Sequence, residues 1–341
     1  MVERKSLFYI SPGAVEVRAD PVPAPGSNQV LVQTRYSAIS SGTEMLLFRG
    51  QFPDDIPLDE NIPSLTGPVE YPLKYGYAQV GEIVEVGDHV DDAWLGKHVF
   101  AFQPHTSHFV SETRALQIIP DDLQLESALF FANMETAVGI VMDGNPKIGE
   151  RVVVFGQGIV GILTTALLAS YPLEDLVTFD HFELRRQASL EMGASRSFDP
   201  ENLNFSAHPN LESGDRLLHH ADLVFELTGN PDVVNQAISA AAYEGRVVIG
   251  SWYGKKQAQL DLGSWFHRGR LQLVSSQVSR IDSSLLGRWD KERRYKLTWE
   301  MLRMVKPNRL ITHIIPINDA ARAFDLIENK PGDTMQVIFE Y

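Results

Sequence analysis

The sequence predicts an α/β chain in two parts: a doubly wound parallel sheet joined to a strand-rich barrel. Three observations predict it. Val152 to Phe155 is an apolar, strand-like run that leads into Gly156, Gly158 and Gly161, and Ile159 to Ser170 then reads as a helix. Strands and helices alternate from there to Ser275. Before Leu125, short strands and turns follow one another with no long helix.

The elements follow in order. Ser6 to Glu16 reads as a hairpin turning at Ser11-Pro12-Gly13. After a Pro-rich connector, Gln29 to Tyr36 alternates around Val30, Val32 and Thr34, as a half-buried strand does. Ser37 to Glu44 is small and polar and follows a strand directly, which suits an active-site loop. Met45 to Arg49 is one helical turn. Gln51 to Pro72 is rich in Pro, Asp and Glu and reads as a long loop. Gln79 to Val86, Lys97 to Phe102 and Phe109 to Ser111 are further strands, and Gln103 to His108 is a second polar loop. From Glu126 to Met142 the spacing becomes helical and stops at Asp143-Gly144. Leu176 to Phe179, Arg196 to Phe198, Asp222 to Leu227, Arg246 to Gly250 and Leu271 to Ser275 are strands. Glu183 to Met192 and Val233 to Ala242 are helices. Leu285 to Arg294 is basic. A helix near Tyr295 to Val305, a strand Ile311 to Pro316, a helix Asn318 to Glu328 and a strand Met335 to Glu340 close the chain. The expected division is 1–125, 126–277 and 278–341, the last segment returning to the first because its barrel otherwise lacks strand partners.

The chain has 341 residues, more than one core usually supports. A net charge of −14 argues against broad binding to nucleic acid or to an anionic membrane. There is no cysteine, which excludes disulfides, thiolate metal ligands and a cysteine nucleophile. No signal-like apolar core follows Met1, so a cytoplasmic protein is expected.

The glycine pattern carries the first chemistry. Gly156 permits a tight turn, Gly158 lets backbone approach a pyrophosphate, and Gly161 lets helix and strand pack closely. The helix opening at Ile159 and Val160 offers N–H groups to phosphate. The next strand ends in Asp180, 19 residues past Gly161, the place of a ribose-binding acid. Such an acid favours NAD over NADP, although His181, Arg185 and Arg186 leave NADP open, since an arginine can hold a 2′-phosphate. Thr228, Gly229 and Ser251 end later strands, where ligands gather in these sheets. Trp252 and Tyr253 border either a nicotinamide or a subunit contact. His267, Arg268 and Arg270 form a cationic cluster, read first as a surface patch.

Ala38-Ile-Ser-Ser-Gly-Thr-Glu44, Tyr75 to Gly87, Gly96-Lys-His-Val99 and Gly156 to Gly161 together resemble the medium-chain dehydrogenase/reductase superfamily over essentially the whole chain. The nearest flavour is its zinc-type alcohol dehydrogenase-like branch, bacteriochlorophyllide dehydrogenases included. The resemblance implies a GroES-like catalytic barrel, a Rossmann nucleotide domain, NAD(H) or NADP(H) as cofactor, a small-molecule substrate and a homodimer. It also exposes departures. Ser41 stands where zinc-dependent members have cysteine, and Gly76-Tyr77-Ala78 stands where they have Gly-His-Glu. The helix that would give a third ligand offers Asn133 and Glu135. A hydroxyl, a phenol and one carboxylate make a poor zinc site, so a metal-free enzyme is expected.

Without a metal, protein groups must meet the charge on oxygen. Thr43 matches the family's proton-relaying hydroxyl, and Tyr77 stands where a metal ligand would, within reach of the reacting oxygen. Its alternative role is to fill the space of that ligand. His105 is expected to rim the substrate cleft and exchange protons with solvent, with a structural histidine as the alternative. Ser41 serves as a catalyst or as a loop filler. The primary reading is a metal-independent, NAD(P)-dependent oxidoreductase acting between a secondary alcohol and its ketone. A quinone or enone reductase, and a dinucleotide-binding scaffold or redox sensor without turnover, are the competing readings.

Overall fold

A computed structural model of the chain describes residues 3–202 and 220–341. It divides into two compact units, Met1–Ala132 with Leu302–Tyr341, and Asn133–Met301.

In chain order, the first unit opens with β1 (Glu3–Ser11) and β2 (Ala14–Pro21), an antiparallel hairpin whose turn needs Gly13 at φ 81°. It continues through β3 (Gln29–Ala38), helix α1 (Thr43–Phe48), β4 (Gln79–Val86), β5 (His98–Ala101), β6 (His108–Glu112) and β7 (Leu116–Ile118). The helical stretch expected from Glu126 to Met142 is two helices, α2 (Leu125–Ala128) and α3 (Phe131–Gly144). Phe130 N–H bonds back only three residues, to Ser127 O, and the rings of Phe130 and Phe131 are both buried beyond the break. Asn145 at φ 46° ends α3.

The second unit alternates β8 (Arg151–Phe155), α4 (Ile159–Leu168), β9 (Asp175–Phe179), α5 (Glu183–Glu191), β10 (Arg196–Phe198), β11 (Ala221–Glu226), α6 (Val233–Ala240), β12 (Ala241–Ile249), α7 (Trp265–Arg268) and β13 (Gln272–Ser275). These strands form one parallel sheet in the order β10-β9-β8-β11-β12-β13. Buried on both faces, the inner strands β8, β9 and β11 read as apolar runs rather than alternations. Val153, Phe155, Val177, Phe179, Val224 and Val247 supply much of the core on one face, under α6. The order reverses between β8 and β11, and in doubly wound sheets ligands bind outside the carboxyl ends of strands at that point.

After α8 (Lys291–Val305), strand β14 (Ile311–Pro316), helix α9 (Ala320–Asn329) and strand β15 (Gln336–Glu340) belong to the first unit. Its seven-stranded sheet runs β14-β15-β3-β4-β5-β7, with β6 paired to β3. The β14–β15 pair is parallel and the rest antiparallel. Val30, Val32, Ile83, Val99, Ala101, Phe109 and Leu116 form one apolar cluster. A second gathers around α9, whose Ala320, Ala323, Phe324 and Ile327 fall on one helical face. Phe324 stacks on Phe48 with centroids 5.1 Å apart and meets Tyr9 edge-on at 5.5 Å. Burying such a ring is worth roughly 1.5–3 kcal/mol.

Candidate active site

The glycine turn closes β8 onto α4. Gly156 sits at φ 87°, and a Cβ there would lie 2.6 Å from Leu227 O. A Cβ on Gly161 would lie 1.9 Å from Gly156 O, so backbone, not side chain, excludes any other residue. Gly158 differs: a Cβ there meets nothing within 4 Å. It faces open space, as a position reserved for a ligand's approach must.

Asp180 ends β9 beside this turn and is 8% exposed. Its Oδ2 accepts the Gln157 N–H at 2.8 Å and its Oδ1 the Phe182 N–H at 2.9 Å. Arg185 lies 3.9 Å from Oδ2, its guanidinium over the Phe182 ring. Burial lowers the Arg185 pKa, and the Asp180 charge opposes that shift. Arg186 donates to the carbonyls of Asp180 and His181 and pairs with Glu183, while His181 lies 3.4 Å from Asp199. Sequence reasoning missed Gln157. It is fully buried, accepts from Thr165 Oγ1 at 3.0 Å and donates to Gly156 O at 3.1 Å, stapling the turn to α4.

The ends of β11 and β12 are tied together. Gly229 N–H donates to Ser251 Oγ at 2.8 Å, and Ser251 Oγ donates to Glu226 O at 3.3 Å. The buried Glu226 carboxylate, also missed, accepts from the Thr228 N–H at 2.8 Å, the Thr228 hydroxyl and the Tyr253 phenol. Burial and the Glu226 charge push the Tyr253 pKa far up. Tyr253 is therefore spent on this latch, whereas Trp252 remains 41% exposed. His267, Arg268 and Arg270 are exposed, and Arg270 pairs with Glu244 at 3.2 Å, as a surface patch would.

In the first unit, hydroxyl groups gather where α1 begins. The half-buried Tyr77 OH donates to Ser40 Oγ at 2.6 Å, and Ser40 Oγ also receives the Thr43 N–H at 3.4 Å. Burial raises the Tyr77 pKa. Hydrogen bonding with Ser40 and Thr43 pulls it down, and the charges of Glu44 and Asp59 push it up. The phenol thus stays protonated at neutral pH. Thr43 and Tyr77 come together. Ser41 is exposed and takes no part in this cluster; its neighbour Ser40 does.

His105 requires a correction. Expected on a rim in touch with solvent, it is entirely buried. Its Nδ1 meets Ser37 Oγ at 2.7 Å and its Nε2 meets Glu44 Oε2 at 2.8 Å. Tyr9 OH donates to the same Glu44 oxygen at 2.7 Å, and Ser40 N–H donates to Oε1 at 2.8 Å. Both ring nitrogens are committed, so the ring exchanges no proton directly with water. His108 is half-buried with its pKa lowered by burial, and it contacts Ser107 Oγ at 3.1 Å.

Asn133 and Glu135 belong to the second unit. Asn133 is half-buried on α3. Glu135 is taken by Arg294, whose Nη2 lies 2.5 Å from Oε1. Arg294, which the sequence places in a basic run, is only 2% exposed and donates as well to the carbonyls of Val278 and Arg280.

A strand-rich unit and a doubly wound unit with this glycine turn make up the architecture of alcohol dehydrogenase-like oxidoreductases. A family model described as zinc-binding dehydrogenase matches residues 160–289. The chain is 23% identical over 291 residues to D-guloside 3-dehydrogenase of Escherichia coli K12, covering 81% of each. It is 25% identical over 340 residues to L-threonine 3-dehydrogenase of Stenotrophomonas maltophilia, covering 90% of this chain and 91% of the relative. An alcohol dehydrogenase of Escherichia coli CFT073, solved in complex with NADH, shares the fold with a TM-score of 0.78 at 18% identity, covering 99% of both chains. In sequence the chain is similar to dehydrogenases of the medium-chain dehydrogenase/reductase kind, and its two units have the GroES-like and Rossmann folds.

Proposed function

We propose that the protein is a metal-independent oxidoreductase that prefers NAD and acts between a secondary alcohol and its ketone. The observation that carries the reading is Asp180, whose carboxylate stands at the glycine turn that Gly158 leaves open. The residues fit a nicotinamide dinucleotide. Gly156 to Gly161 would take the pyrophosphate, Asp180 the ribose hydroxyls, and Thr228, Gly229 and Ser251 the crevice beyond. A carboxylate repels a 2′-phosphate, which favours NAD. Arg185 beside it keeps NADP within reach.

Zinc fits poorly, and the donors themselves support that. The chain has no cysteine. Glu44 is spent on His105, Tyr9 and Ser40, and Glu135 on Arg294. Among the described residues, no three His, Asp or Glu side chains are grouped as a metal site.

When bound, the nicotinamide exchanges the hydride. The chain's part is then the proton. A phenol held protonated is an acid toward the alkoxide formed when a ketone accepts hydride, and a weak base toward an alcohol. Tyr77 would give its proton to that oxygen and recover one through Ser40. Such a site favours reduction near neutral pH and oxidation at higher pH. Names such as D-guloside and L-threonine 3-dehydrogenase point to small hydroxyl-bearing substrates.

The test uses purified protein, NADH and NADPH titrations by fluorescence, metal analysis, and a panel of D-sorbitol, L-threonine and 2,3-butanediol with their ketones. Binding of NADH more tightly than NADPH, turnover without metal, and loss of ~100-fold or more in kcat for Tyr77→Phe are expected. Stoichiometric zinc needed for turnover, or an undiminished Tyr77→Phe, would refute it. A quinone or enone reductase shares the metal-free hydroxyl cluster; turnover of α,β-unsaturated ketones but of no alcohol would favour it.

A further inference from the structure

His105 and Glu44 are both fully buried, yet the proposed reaction uses neither directly. Their hydrogen bonds form one connected chain. Tyr341 OH is 2.8 Å from Ser37 Oγ, Ser37 Oγ is 2.7 Å from His105 Nδ1, and His105 Nε2 is 2.8 Å from Glu44. With Tyr341 donating to Ser37, Ser37 to Nδ1, and Nε2–H to Glu44, these contacts are mutually satisfied. Tyr9 OH and the Ser40 N–H complete the set around Glu44. Three groups, Tyr9 OH, the Ser40 N–H and His105 Nε2, thus converge on one carboxylate.

The network touches the hydroxyl cluster at two places. Glu44 Oε1 holds the Ser40 N–H, and so the backbone that carries Ser40 Oγ. The His105 ring lies against the backbone at Gly76, where a Cβ would come within 2.9 Å of Cδ2, and His105 N–H donates to Tyr75 O at 3.3 Å. Gly76 is the residue next to Tyr77. One polar knot therefore grips both partners of the 2.6 Å Tyr77–Ser40 contact from behind.

We propose that Glu44, backed by His105, is a positioning residue: its reach to the Ser40 N–H sets the Ser40–Tyr77 hydroxyl pair in the geometry for proton transfer. The inference rests on the reading that Tyr77 handles the proton.

Two variants separate reach from charge. Glu44→Gln keeps the length and an acceptor oxygen for Ser40. Glu44→Asp keeps the charge and withdraws the oxygen by about one methylene. Crystal structures of both full-length variants read the geometry without any substrate. The Ser40–Tyr77 contact should persist in Glu44→Gln and open beyond hydrogen-bond reach in Glu44→Asp. Per folded enzyme, kcat with the panel above should fall ~10-fold or more in Glu44→Asp and stay within ~3-fold in Glu44→Gln, with alcohol KM and NADH binding within ~2-fold in both. An intact contact in Glu44→Asp, or a reversed order of the two variants, overturns the proposal. If Tyr77→Phe costs activity while Glu44→Asp does not, this inference alone fails; if Tyr77→Phe costs nothing, the functional reading fails.

Discussion

Gly76 and His105 share one space: a Cβ on Gly76 would lie 2.9 Å from His105 Cδ2, 3.0 Å from Nε2 and 3.1 Å from the backbone nitrogen. Gly76 also sits at φ 129°. Two independent reasons therefore require glycine, the backbone angle and the ring behind it. The ring cannot retreat, because both its nitrogens are bonded and Phe339 stands edge-on with centroids 5.1 Å apart. Gly76→Ala is expected to cost about 2–4 kcal/mol, adding overpacking to backbone strain. Chemical denaturation of the variant measures it. A loss below about 1 kcal/mol would mean that the segment yields easily.

The glycine turn separates folding from binding. Gly161→Ala forces a methyl within 1.9 Å of Gly156 O, so the turn must rearrange and both stability and cofactor binding should fall. Gly158→Ala meets nothing within 4 Å in the protein. It should melt within a few degrees of the parent and yet weaken NADH binding by ~10-fold or more, because the new methyl occupies the approach of the pyrophosphate. Calorimetric melting and fluorescence titration of the two variants check the pair. Equal binding by Gly158→Ala and the parent would remove the turn from the cofactor site.

These contrasts show which features are legible in sequence. The glycine turn can be read because local backbone geometry alone dictates residue type at Gly156 and Gly161. The apolar runs of β8 and β9 can be read because burial on both faces removes alternation. His105 cannot be placed so, since its partners Ser37 and Glu44, and their own partners Tyr341 and Tyr9, are dispersed along the chain. Arg294 looks like part of a solvated basic run until the fold brings Glu135 to it. Strand β7 has three residues, too few for any period to show. Ser40 and Ser41 are alike in the sequence, and only the turn into α1 decides which one faces Tyr77.

Asp20 is expected to govern part of the acid stability. Its partial burial acts to raise its pKa. Hydrogen bonds from Arg4, Lys74 and Ser6 outweigh that and hold it at about 2, below the ordinary 3.8. Arg4 approaches to 2.7 Å, Lys74 to 2.8 Å and Ser6 to 2.6 Å. A depressed carboxylate stabilises the fold above its unfolded pKa, and that contribution fades as pH falls through the folded value. Asp20→Asn should therefore cost about 1–2 kcal/mol at pH 7, discounted for a side chain that keeps some exposure. The cost should shrink between about pH 4 and pH 2, read by denaturation at each pH.

Arg294 and Glu135 make the opposite case. Burial raises the Glu135 pKa, and Arg294 and Lys291 pull it back down. An acid whose folded pKa lies above its unfolded one favours the fold below the unfolded value, and that contribution is lost as pH rises through the folded value. Removing the guanidinium takes away the main opposing charge, so the folded pKa climbs further. Arg294→Met should cost about 3–5 kcal/mol at pH 7, because it strands a buried carboxylate and orphans the carbonyls of Val278 and Arg280. The charge part of that penalty should ease as acidification protonates Glu135, while the carbonyl part should persist. Pairing it with Glu135→Leu should recover part of the loss at pH 7 and leave a remainder that does not vary with pH near neutrality. Urea denaturation of the single and double variants at pH 5 and pH 7 measures both parts. A single-variant penalty that stays equal at the two pH values, with nothing recovered in the double variant, would show that the ion pair is incidental and that Arg294 acts through the carbonyls alone.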